Sequence, residues 1–427
     1  MKPKLLFFAS NSTFFEEMKK LILLLRDDFE CHLIKDFKPK NLNDRKKKKT
    51  FIKKIKQFIK KTSFFSRFQK LKLAKDFGRK IELLEYQANA LMNKQDWAAI
   101  ISSGDRNVAS LEFFCLKLAY ERGIPSLFPP LVVPADKEAI LEFRRGQYQY
   151  IVSKKEFEKY PEVVVWDNKS KNYICYYGSY QLDVLAKKNF ISRNPWVIGS
   201  SYISKIMVSS QRTRDSLISS GCLSEKIIVT GGPSHDDLFQ TLGKKNKLKA
   251  DFVEKYNFDP IKFWVGIALP QYFEDGFMDW EGHSDEIQKI FDSLKILEGE
   301  INVLISLHPK MNVEHYQKLI NFAGAKIIQE PLSQWISTLD IFLAHYSSTI
   351  EWAAALGIKA FILDYPHHNL PLYQGQPGIV VVKNKEEFFP LLKSALNPVV
   401  FNPNDYYAKV DGQALKRIKE TIRKSLE

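Results

Sequence analysis

The stretch FLAHYSSTIEWAAALGIKAFILDYPHH, residues 342–368, places three consecutive hydroxyl residues between two apolar runs. The first run predicts the end of a buried β-strand, and the small residues after the hydroxyls predict a helix that ends at Gly357. A second apolar strand follows at 359–364. Strand, helix and strand form one βαβ unit of a parallel sheet, and the hydroxyl residues lie where the first strand gives way to the helix.

The same alternation of apolar strands and helices runs through most of the chain. At 427 residues with 45% hydrophobic content, the chain is long enough for two cores. We therefore predict an α/β protein with two Rossmann-like, doubly wound domains that face a cleft. The principal predicted strands are 4–10, 29–34, 97–103, 205–210, 226–230, 263–269, 301–307, 325–329, 340–346, 359–364 and 378–382.

Breaks in this rhythm suggest the domain boundaries. We assign 1–242 to the N-terminal domain, with an insertion at 131–178 whose aromatic and β-branched residues predict hairpins. A Lys-rich stretch and the turn NFDP separate it from the C-terminal domain, 261–410. A basic helix, 411–427, closes the chain.

The net charge of +15 comes from one segment. Residues 45–80 contain sixteen Lys and Arg against one acid, Asp76, so the remaining chain sums to zero. Apolar residues recur there at helical spacing, which predicts a basic amphipathic helix. We expect 45–75 to dock on an anionic membrane surface. The alternatives are a surface helix packed on the protein's own core and a nucleic-acid surface, but RNA-binding signatures and zinc fingers are missing, so no nucleic-acid partner is expected.

The remaining composition indicates the compartment. Four scattered cysteines without CxxC spacing favour a reducing environment. The apolar run in MKPKLLFFASNS is shorter than that of a signal peptide, and no stretch approaches the roughly 18 apolar residues of a membrane span. We expect a cytoplasmic protein, peripheral at the inner face of the cytoplasmic membrane.

Ligands of doubly wound folds bind beyond the carboxyl ends of the strands, so the residues that follow strands are the candidates. A helix beginning near Ser348 offers unpaired N–H groups and its positive dipole end, and Ser347 and Thr349 add hydroxyls, so a phosphate fits there. The alternative is that Ser347 or Ser348 only caps the helix.

Two further motifs turn this phosphate prediction into a nucleotide prediction. Glu351, one turn into the helix, can accept both hydroxyls of a ribose. His308 and Lys310 follow another strand, and His308 lies 39 residues before Ser347. That interval holds helix, strand, helix and strand, which brings both motifs to one edge of one sheet.

The motifs LHPK, LDIFLAHYSST and ALGIKAFIL, with Glu351, resemble the nucleotide-binding domain of GT-B glycosyltransferases. Bacterial sialyltransferases and Kdo transferases, which use CMP-activated acidic sugars, share an His-Pro element and a Ser/Thr pair. The resemblance implies that His308 lies near the phosphate, that Ser347 and Ser348 bind phosphate, and that Glu351 binds ribose. It also implies a CMP-sugar donor such as CMP-Kdo and a bacterial surface glycan or lipid-linked acceptor. FEDG at 273–276 resembles an acidic-acidic-Gly motif of those sialyltransferases.

The first half resembles the non-hydrolysing UDP-GlcNAc 2-epimerases, which share the GT-B fold. SGDRNVASLEFFCLKLAYERGIP, 103–125, is similar to their Gly-Asp-Thr loop and the helix after it, and EKIIVTGGPSHDDLF, 225–239, to their Thr-Gly-Asn segment. The resemblances together cover about two thirds of the chain. The epimerase Ser-Gly-Gly segment is Ser347-Ser348-Thr349 here, which favours transfer over epimerisation.

Sugar transfer needs a base or a nucleophile beside the donor. Asp105, Asp236 and Asp237 each lie between a strand and a helix, and any of them could act as the base of an inverting enzyme or the nucleophile of a retaining one. Helix capping is the alternative for all three. His367 and His368 lack a third ligand at metal spacing, so we expect no metal and no cofactor beyond the donor.

We therefore predict a nucleotide-sugar-dependent glycosyltransferase. The alternatives left open are a UDP-sugar glycosyltransferase, a nucleotide-sugar 2-epimerase, a CDP-polyol phosphotransferase and a non-catalytic polyanion-binding protein.

Overall fold

The computed structural model describes residues 2–36, 63–131, 137–274, 278–308, 311–365, 373–397 and 402–427, with side chains for all of these except 12, 13, 63–69 and 139. The chain forms two compact units. Unit 1 consists of Met1–Val208, Arg214–Val229 and Ile418–Glu427. Unit 2 consists of Ser209–Thr213 and Thr230–Arg417.

Unit 1 contains a parallel sheet of six strands in the order β2-β1-β3-β4-β8-β9. Every residue from Leu5 to Ala9 of the second strand in this order is fully buried, as expected for a sheet covered on both faces. The insertion adds a small antiparallel sheet in the order β5-β7-β6. The strands are β1 Lys4–Ala9, β2 Glu30–Lys35, β3 Ala99–Ile101, β4 Ser126–Phe128, β5 Ile151–Val152, β6 Val164–Asp167, β7 Asn172–Cys175, β8 Lys205–Val208 and β9 Ile227–Val229.

Unit 2 contains a second parallel sheet, in the order β12-β11-β10-β13-β14-β15. Numbered within the unit, this order is 3-2-1-4-5-6, that of the Rossmann fold. Its strands are β10 Phe263–Ala268, β11 Ile301–Ser306, β12 Lys326–Ile327, β13 Ile341–Ala344, β14 Lys359–Leu363 and β15 Ile379–Val382.

The helices of the described residues lie between these strands. They are α1 Ser12–Leu25, α2 Ser63–Met92, α3 Leu111–Glu121, α4 Lys137–Arg144, α5 Lys154–Lys159, α6 Ser179–Lys187, α7 Gln211–Ser219, α8 Pro233–Leu242, α9 Lys245–Tyr256, α10 Trp280–Ile296, α11 Val313–Phe322, α12 Thr349–Ala355, α13 Lys385–Ala395 and α14 Ala414–Lys424. None of these helices, within the described ranges, is long and apolar enough to cross a bilayer.

The sheet of unit 2 separates two hydrophobic cores. Side chains alternate across a strand, so Val265 and Ile267 of β10 join one core while Trp264 joins the other. Helix α10 packs on the first face, and Ile350 of α12 belongs to the second core. Helices on both faces make the sheet doubly wound.

The units divide the chain at different places from the sequence prediction. Thr230 already belongs to unit 2, so helix α8 does as well, although the prediction gave 1–242 to the first domain. The reason is packing, because Leu238 of α8 is fully buried in the core that contains Trp335. The C-terminal helix is also shared, since Ile418 and Ile422 of α14 are buried in the core of unit 1.

Part of the basic segment can be located. Residues 45–62 lie outside the described residues, as do 132–136 of the predicted insertion. The remainder of the basic segment lies in α2, where Phe77 and Ile81 are buried in the core of unit 1. From Phe77 onward, α2 therefore packs on the core of unit 1, which is the alternative to membrane docking given above.

Candidate functional site

The candidate site of unit 2 lies at the carboxyl ends of its central strands. Strands β10 and β13 are neighbours, but the chain leaves β10 for α10 on one face of the sheet and leaves β13 for α12 on the other. The loops after β10 and β13 therefore part and leave a crevice, the switch point at which doubly wound sheets bind ligands.

The predicted hydroxyl triplet lies directly at this crevice. Ser347, Ser348 and Thr349 follow the end of β13, and Thr349 begins α12. Ser347 Oγ accepts a hydrogen bond from Thr349 N at 3.3 Å, next to Ser348, the N-cap residue of α12. Ser348 is exposed and makes no side-chain cap bond. Its hydroxyl therefore faces solvent at the mouth of the crevice.

His308 reaches the same edge from the other side of β10. It lies two residues beyond β11, and β10 separates β11 from β13. Neighbouring strands are about 4.8 Å apart, so the two predicted motifs begin about 10 Å from one another. Lys310 lies outside the described residues.

A small pocket lies at the carboxyl ends of β10, β13 and β14. Tyr272, from the loop after β10, and His345, after β13, approach with ring centroids 4.9 Å apart. Burial raises the pKa of Tyr272 and of Tyr365, so both phenols keep their protons at neutral pH. The lining of the pocket is mostly apolar and consists of Ile267, Ala268, Pro270, Tyr272, Glu286, Ile290, Ala344, His345, Leu363 and Tyr365.

Glu351 has a partner that the sequence did not indicate. Its side chain is 2% exposed, and Oε1 accepts a hydrogen bond from Arg212 Nε at 2.9 Å and from the Tyr373 hydroxyl at 3.2 Å. Burial lowers the pKa of the Arg212 guanidinium, but the Glu351 carboxylate outweighs this and holds that pKa above its usual range. Glu351 is thus placed to hold Arg212, and binding a ribose would require this ion pair to open.

Two of the three predicted catalytic aspartates, Asp236 and Asp237, lie in α8 of unit 2. Asp236 accepts from the N–H groups of Ala414 and Leu415, at 2.9 and 3.0 Å, and so caps α14. Asp237 Oδ2 accepts a hydrogen bond from Ser333 Oγ at 3.4 Å, in the segment between β12 and β13. His235, beside them, is buried, which lowers its pKa to about 4. Within unit 2, neither aspartate accompanies the hydroxyl triplet.

Asp105, the third aspartate, lies at the carboxyl edge of the sheet in unit 1. Its two oxygens accept from Gly199 N at 2.9 Å and from Ser201 N at 3.1 Å. Gly199 has a φ of +77°, a conformation that glycine adopts without strain and that turns both amides toward the carboxylate. Burial raises the pKa of the Asp105 carboxyl, although the hydrogen bonds from the two amides act to lower it.

Two further carboxylates at this edge were missed by the sequence analysis. Glu112 of α3 is 1% exposed and reaches back to the loop after β3, where it accepts from the hydroxyls of Ser102 and Ser103 at 2.9 and 2.7 Å. Asp36, just after β2, accepts from Glu112 N at 3.1 Å. Asp36 directly follows a predicted strand, so the rule that found Asp105 would have found it. Glu112 lies within a helix rather than just after a strand, so that rule could not have found it.

Comparison with known proteins shows which solved structures share this fold. No protein-family model and no curated protein matches the sequence. The UDP-GlcNAc 2-epimerase of Neisseria meningitidis, solved with UDP-GlcNAc, is 13% identical, with a TM-score of 0.51 over 99% of this chain and 100% of that one. MnaA of S. aureus, solved with UDP, gives 14% and 0.51 over 100% and 97%. The Methanocaldococcus jannaschii UDP-GlcNAc 2-epimerase, with UDP-GlcNAc and UDP, gives 12% and 0.50 over 99% and 100%.

The chain has a GT-B-like fold. The prediction of two Rossmann-like doubly wound domains is thereby confirmed. At these identities the likeness extends to the fold alone, so the resemblance to CMP-sugar transferases and the roles of the site residues stay predictions. Among the described residues, no three His, Cys, Asp or Glu side chains gather as a group that could hold a metal ion.

Glu351→Gln should destabilise unit 2, because it leaves the Arg212 charge buried without its counter-charge. We expect a loss of about 3–5 kcal/mol in the free energy of unfolding, measured by urea denaturation. Adding Arg212→Met to Glu351→Gln should recover part of the loss. Equal stability of wild type and Glu351→Gln would contradict the ion pair.

Glu112 should make stability depend on pH. Burial raises the pKa of Glu112 from 4.5 to about 7, although the hydrogen bonds from the Ser103 and Ser102 hydroxyls act to lower it. The folded state then binds the proton more tightly than the unfolded state, so Glu112 stabilises the fold below pH 4.5 and this contribution is lost as pH rises to 7. Relative to Glu112→Gln, wild type should lose about 3 kcal/mol between pH 4.5 and 8 in denaturant titrations. Parallel pH profiles would refute this assignment.

Proposed function

We propose that this protein is a glycosyltransferase that uses a nucleotide-sugar donor. The observation that carries the proposal is the crevice at the switch point of a 3-2-1-4-5-6 sheet, with a hydroxyl cluster on one side and a histidine on the other. The three solved structures named above belong to proteins whose ligands are UDP or UDP-GlcNAc, which supports a nucleotide-sugar ligand for the same fold here.

We assign the parts of the nucleotide as follows. The exposed Ser348 hydroxyl, with Thr349, receives phosphate at the start of α12, and His308 approaches from across β10. Tyr272 and Tyr365 offer rings on which a base can stack. Glu351 acts from behind the first turn of α12 as the counter-charge of Arg212. Lys310 retains its predicted role on the phosphate side.

For the donor, we propose a CMP-activated acidic sugar such as Kdo. The support is the combination of His308-Pro309 with the later serine pair, which resembles the transferases that use such donors. A UDP-sugar is the alternative, and the bound ligands of the similar solved structures favour that alternative.

The acceptor is proposed to be a bacterial surface glycan or lipid-linked glycan, bound through unit 1. Deprotonation of its hydroxyl requires a general base, and a carboxylate can serve. Asp105 and Asp36 both lie at the carboxyl edge of unit 1, and burial raises the pKa of each, which brings a carboxylate nearer to the range of a general base. Asp36 is half-buried and Asp105 is 2% exposed, so Asp36 is the more accessible of the two.

Epimerisation at C2 of a UDP-sugar is the second candidate function. The specific observation in its favour is that the similar structures with the coverage given above are UDP-GlcNAc 2-epimerases. The hydroxyl triplet in place of their Ser-Gly-Gly segment favours transfer.

Ser347→Ala combined with Ser348→Ala should weaken nucleotide binding at least tenfold, because the Ser348 hydroxyl that receives the phosphate and the Ser347 hydroxyl that binds Thr349 N are both lost. Stabilisation by CMP, CDP and UDP, each titrated against the melting temperature, measures this, since a ligand of the folded state stabilises it by mass action. The fold should survive, since helix caps contribute about 1 kcal/mol. Ser284→Ala with Ser293→Ala, on α10 of the same unit, is the matched control. Unchanged affinity in the double variant would reject the phosphate assignment.

The reaction can be identified by offering CMP-Kdo and UDP-GlcNAc separately, with and without glycan acceptors. Acceptor-dependent release of the nucleotide indicates transfer, whereas a C2 epimer seen by NMR without acceptor indicates epimerisation. Asp36→Asn and Asp105→Asn should retain nucleotide binding, and at least one should reduce turnover 100-fold or more, because Asn keeps the shape but cannot take a proton. Asp236→Asn and Asp237→Asn test the other two predicted aspartates. Full activity in all four variants would show that the base lies elsewhere.

A further inference from the structure

One carboxylate oxygen at the small pocket of unit 2 has no hydrogen-bond donor in the described part of the chain. Glu286 lies in α10, and its side chain contributes to the lining of the pocket at the carboxyl ends of β10, β13 and β14. Its Oε2 is buried and accepts no hydrogen bond from any of the residues that the structure describes. A buried acceptor without a donor costs free energy, so a ligand that brings an N–H group to Oε2 is favoured.

The other oxygen of the same carboxylate is held by the protein. Glu286 Oε1 lies 2.5 Å from Nζ of Lys385, the first residue of α13. The Glu286 side chain is 19% exposed, so the ion pair is largely shielded from water. Lys385 thus fixes the carboxylate in place and leaves Oε2 as the oxygen that a ligand can use.

The surroundings of Glu286 favour the edge of a flat ring. The pocket is small and mostly apolar, and aliphatic side chains and two tyrosine rings line it beside Glu286, namely Ile267, Ile290, Leu363, Tyr272 and Tyr365. A pocket of this kind admits one edge of a base rather than a whole nucleoside. A hydrogen bond made among apolar side chains is stronger than one made in water, because the local dielectric constant is lower.

We propose that Glu286 reads the base of the nucleotide and selects cytosine. The N4 amino group of cytosine donates a hydrogen bond to Oε2, a pairing that carboxylates also make when they recognise cytosine in nucleic acids. Uracil carries the oxygen O4 at the same position and would place an acceptor against the carboxylate. The inference rests on the proposed function for the presence of a nucleotide, and it deepens that function by naming the base and the residue that selects it.

The size of the pocket favours cytosine over adenine. Adenine also has an exocyclic amino group, N6, which can donate to a carboxylate. Its five-membered ring, however, lies beside N6 and widens the edge that must enter, whereas cytosine has only a C–H group at that place. The narrower edge suits the small pocket.

The first experiment changes the ligand and leaves the protein intact. Full-length wild type is titrated in a calorimeter with CMP, UMP, AMP and the 5′-monophosphate of 2-pyrimidinone riboside, which is CMP without its amino group. CMP should bind at least about tenfold more tightly than each of the others, because a hydrogen bond to a charged acceptor contributes that much. UMP should bind more weakly than the analogue without the amino group, because only UMP brings an acceptor against Glu286.

The second experiment changes the side chain. Glu286→Gln keeps the shape, but its amide can accept from N4 of cytosine or donate to O4 of uracil, so the preference for CMP over UMP should fall to within about threefold. A loss of packing alone would weaken both nucleotides equally and leave their ratio unchanged. Glu281→Gln, at an exposed position of the same helix, is the matched control and should keep the wild-type preference. Melting temperatures without nucleotide show that each variant is folded.

The outcomes separate this inference from the proposed function. If UMP or AMP binds wild type as tightly as CMP does, the cytosine assignment is overturned while the nucleotide site stands. If wild type prefers CMP and Glu286→Gln keeps that preference, the amino group is read by another residue and the role of Glu286 is rejected. If none of the nucleotides binds, the proposed function fails and the cytosine assignment fails with it.

Discussion

Parallel pairing of the strands is the constraint on which the candidate site depends. It brings the carboxyl ends of β10, β11, β13 and β14 to one edge of the sheet, so residues far apart in the chain become neighbours. His308 and Ser348 are near one another only because β10 lies between the strands that carry them. The order 3-2-1-4-5-6 adds the crevice, because the chain leaves β10 and β13 toward opposite faces. A change in strand order would separate these residues without altering a single side chain.

The buried carboxylates show how much of an apparent active site serves the backbone. Asp105, Asp236 and Glu112 all accept backbone N–H groups, and Glu351 is enclosed with Arg212. An orphan amide at a helix start or a tight loop is costly to bury, so an acidic side chain beside it supplies a needed acceptor. The same positions, just after strands, are those where catalytic acids occur. Position alone therefore does not distinguish the two roles.

This overlap explains what the sequence could and could not predict. Continuous apolar runs identified the strands of unit 2 to within one or two residues, because a strand buried on both faces is apolar throughout. The hydroxyl triplet and His308 were found for the same reason, since each directly follows such a run. The Arg212–Glu351 pair was not found, because the two residues are 139 positions apart and their contact depends on tertiary packing. The unit boundary at Thr230 was missed for the same reason, since Leu238 is an ordinary apolar helix residue until Trp335 packs with it.

The excess of basic residues is concentrated in one segment of the chain. A protein that uses its basic residues to solubilise itself or to bind polyanions broadly would spread them over its surface. Here the excess is confined to 45–80, and the part that the structure describes combines it with Leu71 and Leu73 at the end of a helix anchored by Phe77. Because a Debye length is about 8 Å at physiological salt, such a local excess acts mainly on a surface that touches it. The basic segment and the crevice in unit 2 consist of separate residues, so substitutions can alter the charge of one without changing a side chain of the other.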